Sequence, residues 1–154
     1  MLSFKEVKIK ELIDLKKDLL NNITEQERQL LNQRLGDANK KENSYKNISQ
    51  LSGISYERVR QRLNSIYNKL DKINVLMNLE SIDETLEIEY LPLSKRSYNS
   101  LKRMNLNTIG DLERIDEANS NDIKYLGKHG YEEIKRELIR IKEIKDSKKS
   151  NKTR

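Results

Sequence analysis

Residues 90–138 read YLPLSKRSYNSLKRMNLNTIGDLERIDEANSNDIKYLGKHGYEEIKREL, and their pattern decides the fold. Ser94 stands where a helix cap belongs, and Arg96 and Asn99 follow it three apart, as neighbours on one helical face. Thr108-Ile109-Gly110-Asp111-Leu112 marks a turn into another short helix. Leu126-Gly127 bends the chain tightly into a last one. Leu93, Leu101, Ile109, Leu112, Ile123, Leu126, Ile134 and Leu138 supply the apolar core. Free amides at the start of the last helix point outward and can hold a phosphate. Short helices, tight turns and amides offered to a phosphate are the logic of a helix-hairpin-helix.

The rest of the sequence fits an all-α reading. Its 154 residues leave room for one ordinary domain or two small ones. Hydrophobic residues make up 34% and charged residues 36%, so the core is thin and helical. One Pro, five Gly and 5% aromatics suit helices better than a sheet. Cysteine is absent and His129 is the single histidine, which argues against a zinc site; no metal and no cofactor is expected. No apolar run reaches transmembrane length and no secretory segment follows Met1, so no membrane partner and a cytoplasmic location are expected. No carboxylate cluster has metal-binding spacing, and an enzyme is not expected.

Net charge is +6 and the isoelectric point is near 9.4, a balance that favours phosphate partners. The basic charge is unevenly placed. Between Ile73 and Ser94 there is no Lys or Arg, but five acids: Glu80, Asp83, Glu84, Glu87 and Glu89. An acidic strip between basic blocks keeps away from DNA while its neighbours approach it, or simply keeps a linker soluble. As a flexible coil it would span roughly 20–25 Å. In the other reading Val75, Leu76, Met77 and Leu79 pack on one module.

Working back to the N-terminus, residues 5–21 read as a helix with Val7, Leu12, Leu15 and Leu19 on one face and Lys and Glu on the wet face. That helix would cap the next module or pair with a second copy, which makes a homodimer one expectation. Thr24 and Glu27 form a capping box for a second helix, with Leu30, Leu31 and Leu35 inward and Gly36 as its stop. A third helix runs from about Ser44 to Leu51, Gly53 makes a tight turn, and Ser55 caps a fourth through Leu70. Val59, Leu63, Ile66, Tyr67 and Leu70 form its apolar stripe. A short helix, a turn with Gly and a longer helix make a helix-turn-helix pattern.

Two resemblances follow from these residues. Leu91 to Ser94, Arg96-Ser97-Tyr98-Asn99-Ser100-Leu101-Lys102, Thr108 to Leu112, and Leu126-Gly127 through Glu133-Ile134-Lys135 resemble the C-terminal domain of the bacterial RNA polymerase alpha subunit. That resemblance implies a helical module that grips the DNA minor groove through Arg96, with Asn99, Ser100, Gly127, His129 and Gly130 at backbone or groove positions. His129 stands where the family usually has Lys, and Gly130 where it usually has Ser, which implies weaker phosphate contact. Tyr90 and Pro92 occupy positions whose acids in that family contact a sigma factor.

ITEQERQLLNQRLG and YKNISQLSGISYERVRQRLNSIYNKL, within residues 23–70, resemble region 4 of a sigma factor. This resemblance implies major-groove contact by Tyr56, Glu57, Arg58, Arg60 and Gln61 in the first turns of the fourth helix. Glu57 can accept from cytosine and Arg60 can fork onto guanine. Tyr56 replaces the Arg usual there. The plainer reading of Glu57 and Arg60 is a surface salt pair, and of Arg58 and Arg62 a solvated face.

The expected organisation is an N-terminal helix with a sigma region 4-like helix-turn-helix over 1–72, an acidic linker over 73–89, an alpha C-terminal-domain-like module over 90–141 and a basic disordered tail over 142–154. The expected function is a DNA-binding transcription regulator acting at promoters with RNA polymerase. The alternative is a protein that docks on the beta flap of the polymerase without reading DNA.

Overall fold

The computed structural model describes residues 1–37, 39–115 and 120–152, with the side chains of 120–125 and 151–152 outside the description. The side chain of Ile123, expected in the core, therefore lies outside the described residues. The described part of the protein is all-α. Its helices are α1 (Phe4–Leu15), α2 (Glu25–Leu35), α3 (Tyr45–Ser52), α4 (Tyr56–Asn78), α5 (Lys95–Arg103), α6 (Ile109–Glu113) and α7 (Ser120–Lys152), with 3₁₀ turns at Lys17–Asn22 and Ile88–Tyr90. The protein divides into two compact units, Met1–Asp71 and Lys72–Arg154. No described helix is long and apolar enough to cross a membrane.

In the first unit the helix starts follow the expected chemistry. Thr24 Oγ1 accepts from the Glu27 amide at 3.1 Å while the Glu27 carboxylate accepts from the Thr24 amide at 3.2 Å. Ser44 and Ser55 cap α3 and α4 in the same way through their hydroxyls. Val59, Leu63, Ile66, Tyr67 and Leu70 are all buried, as their spacing requires.

The N-terminal segment differs from its reading. The predicted helix over 5–21 ends at Leu15 and passes into a 3₁₀ turn. Of the four residues assigned to its inner face, Leu19 is fully buried, while Val7 and Leu15 are 41% and 83% exposed. The buried residues of α1 are Glu6 and Ile9. Apolar periodicity misplaces this face because a carboxylate can take a core position once it has a buried cationic partner, and Arg34 is that partner.

In the second unit one apolar cluster joins Leu76, Ile82, Ile88, Leu91, Leu101, Ile109, Leu112, Leu126, Ile134 and Ile141. Leu93 and Leu138 pack against it. Residues 73–89, expected as a linker, contribute three of these core residues. Of the four side chains in the alternative reading, Leu76 is buried and Leu79 packs on the cluster, whereas Val75 is exposed. Backbone bonds hold the strip in place: Ile88 N donates to Asn107 O at 3.0 Å, Ile109 N to Leu86 O at 2.9 Å and Gly110 N to Glu84 O at 2.9 Å. Gly110 permits this approach, since a Cβ there would lie 3.1 Å from Glu84 O. Glu80, Asp83, Glu84 and Glu87 remain exposed, so composition reported their surface and not the Ile and Leu residues beneath.

The tail is also corrected. Residues 142–152 continue α7 as helix. Ile134, Leu138, Ile141 and Ile144 extend one stripe at helical spacing, and all four belong to the cluster or pack on it. Lys148 Nζ donates to Met77 O at 2.8 Å and also to Leu79 O, which supplies donors to carbonyls at the end of α4.

Candidate nucleic-acid interfaces

The first candidate face is the start of α4. Gly53 lies in the left-handed region between α3 and α4, and the Ser55 hydroxyl accepts from the Arg58 amide at 3.1 Å. Tyr56, Glu57, Arg58, Arg60 and Gln61 are all exposed on the turns that follow. The Tyr56 ring meets Tyr45 edge-on, with centroids 5.5 Å apart at 81°. Arg60 Nε donates to Glu57 Oε2 at 3.0 Å, its terminal nitrogen donates to Oε1, and Gln61 reaches the same carboxylate at 3.5 Å. The salt pair is therefore formed in the free protein. Arg60 holds the Glu57 carboxyl below its usual range, and Glu57 raises the Arg60 guanidinium in return. An exposed pair of this kind contributes little, so either member can exchange it for another partner.

Beside these turns lies an open groove of about 730 Å³ between α2 and α4. Leu30, Ile54 and Ile66 line it together with Arg58, Gln61 and Arg62.

Behind the face sits a polar centre that apolar periodicity does not reveal. Glu6 is 1% exposed and Arg34 is 5%. Arg34 Nε donates to Glu6 Oε2 at 2.6 Å and its terminal nitrogen to Oε1 at 3.0 Å. Tyr67 and Tyr45 hydroxyls donate to the same carboxylate at 2.8 and 3.2 Å, and the Ser3 amide at 3.0 Å. The Arg34 guanidinium stacks 4.3 Å from the Tyr45 ring and also donates to Asn43 O. Burial alone would raise the Glu6 carboxyl, but Arg34, the Ser3 amide and Tyr67 outweigh it and lower it to about 2. Burial and Glu6 together push the Tyr67 hydroxyl upward. One signal for Glu6 was legible: Ser3-Phe4-Lys5-Glu6 has capping-box spacing, and both of its bonds are formed.

The second candidate face is built on α5 and α7. Arg96 is the second residue of α5; it and Asn99 are exposed, and Ser100 is half-buried. Among the described residues Arg96 has no ion pair and no side-chain hydrogen bond. The helix that carries it is clamped. Glu133 on α7 accepts from the Ser94 amide at 2.5 Å, the Ser94 hydroxyl at 2.9 Å and the Ser97 hydroxyl at 2.6 Å. The Ser94 hydroxyl in turn accepts from the Ser97 amide at 3.2 Å. Arg96 thus projects from a turn fixed on both sides of it in sequence.

α7 is not continuous. Gly127 has φ 73° and ψ 168°, so the helix breaks there, in the region that favours glycine. Lys128 and His129 are exposed just after the break. Gly130 is buried, and a Cβ on it would meet Leu126 at 3.4 Å and Ser97 Oγ at 3.5 Å. These are ordinary van der Waals contacts, so the packing does not itself require glycine there. Nearby, Glu89 is held by Lys102 at 2.5 Å and by the Tyr98 hydroxyl at 3.0 Å, while Tyr90 is 38% exposed.

Residues 77–140 match the family model for the C-terminal domain of the bacterial RNA polymerase alpha chain. The match lies in the second unit and leaves residues 1–76 outside it. No curated protein and no solved structure is significantly similar to the sequence. Residues 77–140 are therefore similar to the polymerase alpha C-terminal domain, which implies a DNA-binding role associated with RNA polymerase.

Proposed function

We propose that the protein is a DNA-binding transcription regulator that acts at promoters with bacterial RNA polymerase, in the cytoplasm and without catalysis of its own. The observation that carries this reading is Arg96, exposed and unpaired among the described residues on a helix whose first turn Glu133 clamps. An arginine so placed gains from the enhanced negative potential of a narrow A/T-rich minor groove. Asn99, Ser100 and the turn carrying Gly127, His129 and Gly130 would hold the flanking backbone, partly through amides at the restart of α7. The sigma region 4-like start of α4 would enter a major groove as the second helix of a helix-turn-helix, with Tyr56, Glu57, Arg60 and Gln61 toward bases and Arg58 toward phosphate. Two contacts in one molecule would raise each other's occupancy through effective concentration.

The test compares an A/T-rich duplex with a scrambled G/C-rich duplex, wild type against Arg96→Ala, across a salt series. Wild type is expected to prefer the A/T-rich duplex and Arg96→Ala to lose that preference. Binding that is sequence-blind and indifferent to Arg96 rejects the reading.

A second reading draws on the groove between α2 and α4. Its apolar floor and its arginines suit a protein segment, and the first unit would then dock on the beta flap of the polymerase without reading DNA. Promoter effects that survive loss of both Arg60 and Arg96 would favour it.

A further inference from the structure

The outer face of α1 carries an apolar stripe that the first unit does not cover. Phe4 is 76% exposed and Leu15 83%, with Val7 at 41% beside them. Phe4, Lys8, Glu11 and Leu15 recur at steps of four, three and four, which places them along one seam about 16 Å long. Along one side of the seam, Lys5, Lys8, Leu12, Leu15 and Asp71 line a shallow groove of about 370 Å³.

We infer that this seam is a self-association face, occupied by α1 of a second copy running antiparallel. The charges select both occupant and direction. Antiparallel helices related by a two-fold axis place each seam residue in a layer with its mirror position. The layers are then Phe4 with Leu15 of the second copy, Lys8 with its Glu11, Glu11 with its Lys8, and Leu15 with its Phe4. Two apolar layers enclose two ion pairs and no like charges meet. Parallel pairing would instead stack Lys8 on Lys8 and Glu11 on Glu11, which is unfavourable. Lys8 now lies over the Phe4 ring, with its nitrogen 4.5 Å from the centroid, so pairing only redirects a flexible side chain. Two 12-residue helices make an interface smaller than stable complexes need. The dimer is accordingly weak, with a dissociation constant of about 10 µM or higher. The inference rests on α1 alone and holds whether or not α4 reads DNA.

Sedimentation equilibrium of the 154-residue chain, from about 5 to 500 µM, tests it. Wild type is expected to shift from monomer to dimer across that range. Leu15→Lys is expected to weaken the dimer at least roughly tenfold by ending both apolar layers. Lys8→Glu and Glu11→Lys, each alone, create like-charge layers and weaken it by about the same factor. The double variant Lys8→Glu with Glu11→Lys restores opposite charges and returns affinity to within about threefold of wild type. All three positions are exposed in the monomer, so circular dichroism should find the helix content unchanged. A protein monomeric at every concentration overturns the inference. So does a double variant no better than the single ones, or a dimer that ignores all of them.

Discussion

The two units place their buried charge differently. Met1–Asp71 places an ion pair at its centre, Glu6 with Arg34, and surrounds it with two tyrosine hydroxyls and a backbone amide. Lys72–Arg154 gathers an apolar cluster, ties α7 to the start of α5 through Glu133, and keeps its buried ion pair, Glu137 with Arg140, local to one turn of α7. Two exposed arginines differ too. Arg60, the candidate base-reading arginine of the first unit, is already paired with Glu57. Arg96, its counterpart in the second, has no such partner among the described residues. A charged centre is costly to break, and a paired surface arginine must change partners before it can bind elsewhere. The contrast is between these two arginines and not between whole surfaces, since Arg58 in the first unit is also exposed and without a side-chain partner among the described residues.

The largest expected effect probes the charged centre. Glu6→Ala leaves Arg34 buried without its counter-ion, and the first unit should lose about 3–5 kcal/mol in a denaturant titration. The second unit, followed through its own probe, should be much less affected. Acid gives the same comparison without mutation. The Glu6 carboxyl lies at about 2 in the folded protein against an ordinary value of 4.5. Its contribution is fully present above pH 4.5 and is lost as pH falls toward 2, about 3 kcal/mol in all. Acid unfolding that proceeds equally in wild type and Glu6→Gln would remove this group from the account.

The next effect probes the free arginine. Arg96→Ala should cost about 1–3 kcal/mol of binding to an A/T-rich duplex, some 10- to 100-fold, with the fold intact. Arg60→Ala should cost less, because Arg60 must give up its pair with Glu57 before it can bind a base. Gly127→Ala tests the kink that restarts α7. Nothing lies within 4 Å of the added Cβ, so the penalty is backbone strain alone, about 1 kcal/mol of second-unit stability. The smallest effects come from surface charge. Glu57→Gln releases Arg60 and should raise non-specific DNA affinity about two- to threefold at low salt, a gain that disappears at high salt. His129→Lys should steepen the salt dependence of binding by about one unit of slope if that turn faces phosphate, and leave it unchanged if it does not.

Much of the fold was legible because its signals are local. Thr24 with Glu27, Ser44, Ser55, Ser94 and Leu126-Gly127 announce helix ends through bonds that span three or four residues. The stripe from Val59 to Leu70 and the core from Leu101 to Ile134 follow from spacing alone. The exposure of Tyr56, Glu57, Arg60, Arg96 and Asn99 was legible for the same reason, since a capped helix with one buried stripe leaves the other residues outside. Three features were not. The burial of Glu6 needed Arg34, 28 residues away. The packing of residues 73–89 needed the backbone near Asn107 and Ile109 to receive their hydrogen bonds. The order of residues 142–152 needed an apolar surface for Ile141 and Ile144 to cover.

The sequence by itself determined the helical class, the positions of most caps and turns, and the family likeness of residues 77–140. These depend on contacts within one or two helical turns, which a linear pattern records. Only the tertiary structure decided which face of α1 turns inward, that the acidic strip has an apolar underside, and that Arg60 is paired while Arg96 has no partner among the described residues. Each of those outcomes depends on a partner distant in sequence or on a choice of rotamer. A buried charge, an exposed leucine and a free arginine look alike in sequence until their partners are known.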